Sequence, residues 1–412
     1  MPRKRNDISR AANGDGSIRK KTLTRNGKTY EYWEARYTAG TDPLTGKQIQ
    51  HTITGKTQKE VAQRLRQVTS ELDLGSYVAP CKTTLAEWLT TWQDEYLGSI
   101  KESSRYNYKR DIALYIVPVL GSVKLDSLST TQIQKLYNSL TAPPRSLSAK
   151  TVKDIHGVLH SALQQAVDNR MIRYNPTDAC KLPKVLKKEL RVLAENEIAA
   201  FLKEIAGHPH EHLYRFALFS GIREAEILGL TWDCVDWEHS TVTIKQQLRK
   251  HQEKGKSYYI SSTKNTKSRT IKLAPSAMRE LSLQKQKLEA MKQAAGELWV
   301  EMPMIDTPER GQLLPYDLVF RNNVGELLSY RTVYDCYKRV VAKLGIPELR
   351  FHDLRHSYAA AALRCGDDIK TLQENLGHAT AAFTLNVYGH VTEQMKQASA
   401  DRMEQFIQGL SG

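Results

Sequence analysis

Apolar side chains recur every three or four residues along residues 148–169, which places them on one face of an α-helix. They are Val152, Ile155, Val158, Leu159, Leu163 and Val167. Similar but shorter stripes precede this one, at residues 85–92, 103–116 and 130–140. We expect the second of these helices to end before Pro118, because proline disrupts a helix interior. Since each helix must bury its apolar face against another element, the pattern predicts an all-helical domain over residues 82–182.

A strand-like pattern precedes the helical domain. Aromatic and small residues crowd one stretch, namely Tyr30, Tyr32, Trp33, Ala35 and Tyr37. A turn sequence at residues 42–46 leads into a second extended run at 48–54, and helical spacing returns at 57–74. Residues 1–76 are therefore predicted to form a small three-stranded sheet with one packed helix.

The third part of the chain, residues 192–412, mixes helical stripes with three short extended runs. These runs lie at residues 241–248, 257–262 and 269–273. They predict a mainly α domain that contains a small antiparallel sheet, joined to the helical domain by the basic linker 182–191. A chain of 412 residues is also too long for one ordinary hydrophobic core. The predicted fold class is thus multidomain α+β.

The net charge of +15 is the strongest compositional constraint on partners, because such an excess attracts polyanions and releases their condensed counterions. A basic enzyme kept soluble by its charge is the alternative. We expect double-stranded DNA to bind basic residues among the N-terminal aromatics and in the helical domain. The candidates are Lys20, Lys21, Arg25, Lys28, Arg36, Arg105 and Lys109. For the N-terminal sheet, an ordinary solvated face remains the competing interpretation.

Cysteine usage and hydropathy bear on the compartment. The five cysteines are scattered and odd in number, which argues against a disulfide framework. No apolar run approaches the roughly 20 residues needed to cross a bilayer, and the N-terminus lacks the apolar stretch of a signal peptide. We therefore expect a protein of the reducing cytoplasm, with no membrane association.

Four short motifs in the C-terminal domain contain residues suited to chemistry on a phosphate. They are SGIREAE at 220–226, STKNTKSR at 262–269 between two predicted strands, HDLRH at 352–356, and LGH followed by YGHV at 376–391. Arg223 and Glu226 are three residues apart at the start of a helix, so they share one face. Considered singly, each motif has an ordinary interpretation, such as a surface ion pair, a solvated lysine or a packed tyrosine.

Taken in order, the motifs resemble those of the tyrosine recombinases, or phage-integrase family. The stretches SGIREAEILGLTW, HDLRHSYA, LGH and YGHV carry the resemblance, and all six catalytic positions of the family are filled. The implied catalytic residues are Arg223, Lys264, His352, Arg355, His378 and Tyr388. The layout resembles integrases of conjugative transposons and temperate phages, with an N-terminal arm-binding domain, a helical core-binding (SAM-like) domain and a catalytic domain.

The resemblance implies a site-specific recombinase that cleaves and rejoins DNA through a 3′-phosphotyrosyl intermediate, integrating or excising a mobile element or prophage in the bacterial cytoplasm. It implies no cofactor and no metal. The implied partners are DNA at arm and core sites, an excisionase, a DNA-bending protein, and further copies of the chain in a homotetramer. The C-terminal helix at 391–410 would dock onto a neighbouring protomer, or alternatively fold back on its own domain.

Other functions were weighed against this interpretation. The sequence His208-Pro-His-Glu-His212 and the pair His352 and His356 superficially suggest metal ligands. However, Pro209 interrupts the first group, and the second lacks the Glu of a zinc-binding HExxH helix. A type IB topoisomerase would share the phosphotyrosine mechanism, but the N-terminal sheet domain argues against it. A DNA-binding protein without catalytic activity would not require Tyr388.

Overall fold

A computed structural model describes residues 17–25, 28–41, 45–75, 77–186, 191–251, 258–263, 268–307, 311–377 and 392–410. The chain divides into two compact units, Met1–Leu186 and Lys187–Gly412. Each unit is described separately below. In the described part of the chain, no helix has the length and apolar character required to span a membrane.

The first unit begins with a three-stranded antiparallel sheet. Its strands, in spatial order, are β1 (Ser17–Arg25), β2 (Lys28–Thr41) and β3 (Gln48–Gly55). Helix α1 (Gln58–Asp73) follows, and the Thr57 side chain caps it by accepting a hydrogen bond from the Glu60 amide. Ala35 and Tyr37 of β2 are buried against Val61 and Leu65 of α1. The predicted sheet with one packed helix is confirmed.

Helices form the rest of the first unit. They are α2 (Leu85–Glu95), α3 (Glu102–Asp111), α4 (Val117–Leu120), α5 (Thr130–Thr141) and α6 (Ala149–Asp168). The apolar stripe of α6 is buried in their common core, as the spacing predicts. In addition, the Trp88 indole of α2 donates to the Ala162 carbonyl of α6 at 2.8 Å, which satisfies a buried donor.

The prediction that helical structure ends before Pro118 was wrong. A π-helical turn, Ile112–Ile116, follows α3 directly, and Pro118 lies in the first turn of α4. In a continuous helix an amide at position 118 would donate to the Leu114 carbonyl. Arg145 Nη1 donates to that carbonyl instead, at 3.1 Å, so proline is accommodated. Single-turn π-helical insertions of this kind leave no sequence signature that a 3.6-residue periodicity would detect.

The second unit is mainly helical. Its described helices are α7 (Glu195–Glu204), α8 (Glu211–Ser220), α9 (Glu224–Leu228), α10 (Pro275–Ala295), α11 (Tyr330–Lys343), α12 (Phe351–Arg364), α13 (Ile369–Leu376) and α14 (Thr392–Leu410). Buried aromatic rings of Phe201, Tyr214, Tyr337 and Phe351 hold α7, α8, α11 and α12 together.

Two small sheets flank these helices where one antiparallel sheet was predicted. One contains β4 (Val235–Asp236), β5 (Thr241–Ile244) and β8 (Arg269–Lys272). The other contains β6 (Gln246–Lys250), β7 (Tyr258–Ser262), β9 (Met304–Thr307) and β10 (Gln312–Pro315). The expected single strand at 241–248 is therefore divided at Lys245, where the chain passes from one sheet to the other. The multidomain α+β fold class is nevertheless confirmed.

The division of the sheets also corrects the predicted surroundings of Lys264. The polar segment after β7 was expected to be a turn between neighbouring strands. Instead, β7 pairs with β6 and β9, whereas β8 pairs with β5 in the other sheet. The segment therefore connects two sheets, and its far end is fixed at Arg269.

Candidate active site

Arg223 lies at the N-terminal boundary of α9, where its backbone is extended. Its amide donates to Glu226 Oε2 at 3.2 Å, and its Nη1 donates to Glu226 Oε1 at 2.9 Å. Both hydrogen bonds are possible because the two residues are only three positions apart. This agrees with the prediction that they share one helix face. The Glu226 side chain is only 3% exposed and that of Arg223 is 27% exposed, so the pair is partly buried and differs from the surface ion pair of the ordinary interpretation.

A second guanidinium binds the same carboxylate. Arg269, the first residue of β8, donates Nη1 to Glu226 Oε1 at 3.0 Å and Nη2 to Oε2 at 2.6 Å. Burial alone would raise the pKa of Glu226, but hydrogen bonds and charge from Arg269 and then Arg223 hold the pKa below its usual value. Glu226 is therefore ionised at neutral pH and holds both arginines.

Arg355 comes from α12 and is 2% exposed. Its Nη1 donates to the Gly221 carbonyl at 2.8 Å, and its Nη2 donates to the Leu376 carbonyl. Gly221 ends α8 with a φ of +63°, and an added Cβ would lie 2.3 Å from the Tyr358 ring. Only glycine fits this position. Gly221, two residues before Arg223, thus also supplies the carbonyl group that accepts a hydrogen bond from Arg355.

Three guanidiniums bind three consecutive carbonyl groups at the end of α13. Arg269 Nε donates to Asn375 at 3.0 Å, Arg355 Nη2 donates to Leu376, and Arg223 Nη2 donates to Gly377 at 3.0 Å. Terminal helix carbonyls lack intrahelical donors and carry partial negative charge, so they are natural ligands for arginine. The next residue in the chain is His378. Arg223 and Arg355, the two predicted catalytic arginines, thus bind the residues that directly precede the predicted catalytic His378 in the chain.

His352 is the second residue of α12, the helix that carries Arg355, and part of its side chain reaches solvent. Its ring packs edge-on against His356, with the centroids 4.9 Å apart. Partial desolvation, followed by the positive charges of His356, Arg355 and Arg223, lowers the pKa of His352 to about 4. The imidazole is therefore neutral at pH 7 and can accept a proton.

The other three predicted catalytic residues, Lys264, His378 and Tyr388, lie outside the described residues. Their catalytic roles, like those of Arg223, His352 and Arg355, remain predictions. Nothing in the sequence distinguishes Arg269 from the other basic residues of its polar segment. No local spacing could reveal it, because its partner Glu226 is 43 positions away.

The predicted DNA-binding residues of the N-terminal sheet fall on two faces. Ile18 pairs with Ala35 on the face that packs against α1, so Lys20, two residues further, lies on that face too. Lys21 and Arg36 lie on the opposite face, where both contact Glu34. Arg25 at the end of β1 pairs with Lys28 at the start of β2, and their side chains are outside the described part of the structure.

The two helical candidates also differ. Arg105 Nη2 donates to the carbonyls of Leu97 and Gly98 at 3.0 and 3.3 Å, so its guanidinium stabilises the connection between α2 and α3. Lys109 lies one turn further along α3 and is exposed. Lys109 is therefore the better placed of the two for a phosphate contact.

The histidines considered as metal ligands have other partners. His208 Nδ1 accepts a hydrogen bond from the His210 amide at 3.0 Å, and His212 Nδ1 lies 2.8 Å from Glu280 Oε2. Over the described ranges, no group of three or more His, Cys, Asp and Glu side chains is arranged to hold a metal ion.

Sequence comparisons place this constellation in a family. The family model described as "Phage integrase family" matches residues 191–395, and "Phage integrase, N-terminal SAM-like domain" matches residues 84–141. The chain is similar to a tyrosine recombinase XerC-like protein of Caldanaerobacter subterraneus subsp. tengcongensis, at 26% identity over 93% of this chain and 98% of the relative. It is also similar to the ICEBs1 integrase of Bacillus subtilis, at 23% identity over 89% and 95%.

Solved structures share the fold. The Tn1549 transposon integrase in complex with a circular intermediate DNA matches with a TM-score of 0.65 and 21% identity, over 78% of this chain and 100% of that one. A lambda integrase tetramer bound to a Holliday junction matches with a TM-score of 0.53 and 19% identity, over 87% and 96%. The two family models together span more than half of the chain. The chain belongs to the phage-integrase family of tyrosine recombinases.

Proposed function

We propose that this protein is a site-specific DNA recombinase that cleaves and rejoins DNA through a covalent bond to Tyr388, so as to integrate or excise a mobile element. The observation that carries the proposal is the binding of Arg223, Arg355 and Arg269 to the last carbonyls before His378. This arrangement collects positive charge at one point of the catalytic domain.

The charge suits the transition state of phosphoryl transfer. As the phosphorus is attacked, negative charge accumulates on the two nonbridging oxygens of the scissile phosphate. Arg223 and Arg355 remain protonated at any physiological pH and can donate paired hydrogen bonds to those oxygens. His378, which follows the carbonyls they bind, would supply a further donor. Removing one such preorganised donor commonly slows a reaction by about 10²–10³-fold.

The nucleophile must lose a proton and the leaving group must gain one. The Tyr388 phenol oxygen attacks phosphorus as its proton passes to neutral His352, and the bond from phosphorus to the 5′ oxygen breaks. Lys264 donates a proton to that 5′ oxygen. The products are a 3′-phosphotyrosyl enzyme and a free 5′ hydroxyl. Because the phosphotyrosyl bond conserves the energy of the phosphodiester, the reverse attack by a 5′ hydroxyl reseals DNA without ATP.

A phenol is a weak nucleophile, since at pH 7 only about one tyrosine in 10³ is ionised. The arginine cluster offsets part of this cost by stabilising negative charge nearby. The lowered pKa of His352 makes it a poor base in the free protein. A bound phosphate would bring negative charge to the imidazole and raise its pKa, so that proton transfer becomes favourable only when DNA is in place.

The proposal extends to partners and domain roles. Residues 1–76 would bind arm sites, residues 82–182 core sites, and residues 192–412 would carry the catalysis. The Tn1549 and lambda integrase structures are DNA complexes, and one lambda complex is a tetramer, which supports a tetrameric synapse here. An excisionase, a DNA-bending protein and the bacterial cytoplasm complete the proposed setting.

The decisive experiment traps the covalent intermediate. Full-length protein is incubated with a nicked DNA substrate that carries the flanking recombination site, such that the fragment beyond the cleavage point dissociates. We expect a protein–DNA adduct that resists denaturation and disappears in Tyr388→Phe. Tyr174→Phe, which alters an exposed tyrosine of the first unit, is the matched control and should form the adduct normally.

Each alternative outcome is informative. An adduct that survives Tyr388→Phe would overturn the assignment of the nucleophile. If wild-type protein binds the site but forms no adduct, the recombinase function itself is contradicted.

A further inference from the structure

Arg269 connects three parts of the second unit. It is the first residue of β8, it binds both oxygens of Glu226, and its Nε donates to the Asn375 carbonyl at 3.0 Å. Its side chain is 14% exposed. It also lies close to Gly377, where an added Cβ would be 3.1 Å from three atoms of the Arg269 side chain. Each of the three guanidinium nitrogens therefore donates to a defined partner.

The contacts of Arg269 limit those of Arg223. Carboxylates and guanidiniums prefer two parallel hydrogen bonds, and Arg269 takes this arrangement with Glu226 at 2.6 and 3.0 Å. Arg223 consequently makes one side-chain hydrogen bond to Glu226, at 2.9 Å, and its Nη2 donates to Gly377 instead. If Arg269 were absent, the carboxylate could pair with both Arg223 nitrogens and neutralise the cation.

From this geometry we propose that Arg269 is a positioning residue for DNA cleavage, which occupies Glu226 so that the Arg223 guanidinium stays directed toward the scissile phosphate. Arg269 acts through Glu226 and the end of α13 and does not itself contact DNA. The proposal rests on the proposed function, because it concerns the same phosphate.

A second consequence concerns Lys264. The segment that carries this lysine runs from the end of β7 at Ser262 to the start of β8 at Arg269. By binding Glu226 and Asn375, Arg269 fixes the far end of that segment to the elements that hold Arg223 and precede His378. Arg269 thus joins the described ends of the segments that precede His378 and follow Lys264 to the helix that begins after Arg223.

The test compares full-length Arg269→Ala and Arg269→Lys in single-turnover cleavage. Two substrates are used, one with an ordinary scissile phosphate and one with a neutral methylphosphonate at that position. We expect Arg269→Ala to cleave the phosphate about 10- to 100-fold more slowly, a smaller effect than the loss of a direct donor. Arg269→Lys keeps the charge but cannot bind both Glu226 oxygens, so it should be nearly as slow. Lys272→Ala, on the same strand and exposed, is the matched control and should cleave normally.

The neutral substrate separates positioning from general damage. When the phosphate has lost its charge, a misdirected Arg223 matters less, so the defect of Arg269→Ala should shrink to less than about 5-fold. Adding Glu226→Gln to Arg269→Ala removes the carboxylate that would otherwise neutralise Arg223, and should restore part of the rate. A variant that is merely misfolded would be equally slow on both substrates and would not recover.

The results have distinct meanings. Wild-type rates in Arg269→Ala and Arg269→Lys, or equal defects on both substrates, would overturn the positioning role while leaving the recombinase function intact. If wild-type protein forms no adduct at all, the proposed function fails instead. Thermal melting of each variant, measured in parallel, identifies any loss of folding. If Arg269→Ala does not fold, Arg269→Lys is compared with the wild-type protein on the two substrates.

Discussion

Arg269 binds Glu226 through two parallel hydrogen bonds of 3.0 and 2.6 Å, although 43 positions separate the two residues in the chain. The contact joins the start of β8 to the first turn of α9. Since Glu226 is almost fully buried, its charge depends on this partner and on Arg223. A buried carboxylate that binds two guanidiniums is a rigid anchor, and it can hold a phosphate-binding arginine in place.

Removing the charge of Glu226 should therefore destabilise the catalytic domain. We expect Glu226→Gln to lower the free energy of unfolding by about 3 kcal/mol, because two partly buried guanidiniums lose their carboxylate. Combined with Arg269→Ala, the loss should be smaller than the sum of the single losses, since the members of a contacting pair are not additive. Urea denaturation without DNA measures both values. Additive losses would show that the pair is not coupled, and Glu226→Gln with Lys272→Ala provides the additive reference.

Local sequence patterns predicted the features that depend on near neighbours. The apolar stripe of α6, the three-strand pattern before α1, and the common face of Arg223 and Glu226 all depend on spacings of two to four residues. Such spacings directly determine which side chains share a face. The family resemblance then supplied residues for which no spacing argument exists.

Features that depend on distant pairing were missed. Arg269 stands in a polar run, and nothing in that run distinguishes an arginine bound to a buried carboxylate from a solvated one. The division of residues 241–250 at Lys245 was missed for a related reason. Lys245 leaves both sheets to bind Asp233, with Nζ and Oδ2 at 2.5 Å, and tertiary pairing of this kind overrides an otherwise continuous strand pattern.

A substitution at Gly221 tests how the backbone at the end of α8 holds Arg355. Gly221→Ala should cost about 2–4 kcal/mol in the free energy of unfolding, through both its positive φ and the contact of the new methyl group with Tyr358. Gly207→Ala is the matched control, because Gly207 has a φ of +74° but no atom near its added Cβ, and should cost about 1–2 kcal/mol. Equal losses in urea denaturation would contradict the role of Tyr358. DNA cleavage by Gly221→Ala should also slow, since the Gly221 carbonyl holds Arg355.

The lowered pKa of His352 predicts an unusual pH dependence. A general base works only when unprotonated, so the rate falls as the pH drops through its pKa. At subsaturating DNA the profile reports the free protein, and the fall should occur below about pH 5 instead of near 6.5. At saturating DNA the bound phosphate raises the pKa of His352, and the fall in cleavage rate should move to higher pH.

Single-turnover cleavage between pH 3.5 and 8 measures these profiles. His352→Gln has no titrating group at this position, so it should be slow and should lose the acid limb. A limb near pH 6.5 at subsaturating DNA, or one that persists unchanged in His352→Gln, would contradict the assignment of His352 as the base.

Lys264 can be tested as the acid through the leaving group. Lys264→Ala should cleave ordinary DNA about 10²-fold more slowly, because the departing 5′ oxygen then receives no proton. A substrate with sulfur in place of that oxygen leaves as a thiolate and needs no acid, so it should be cleaved at close to the wild-type rate. Lys267→Ala, in the same polar segment, is the control and should cleave both substrates normally. An equal defect of Lys264→Ala on both substrates would remove Lys264 from this role.

The helix α14 bears on assembly. Its side chains of Met403, Phe406, Ile407 and Leu410 are between 49% and 72% exposed, so this apolar face is not buried against its own unit. Apolar side chains exposed together on one helix favour docking onto another protein surface. Deleting residues 392–412, or introducing Phe406→Asp, should reduce tetramer formation on target DNA in sedimentation experiments but leave the binding of a single protomer unchanged. Glu404→Ala, which alters an exposed polar residue of the same helix, is the matched control. Tetramers that form equally well after the deletion would show that the synapse assembles through other surfaces.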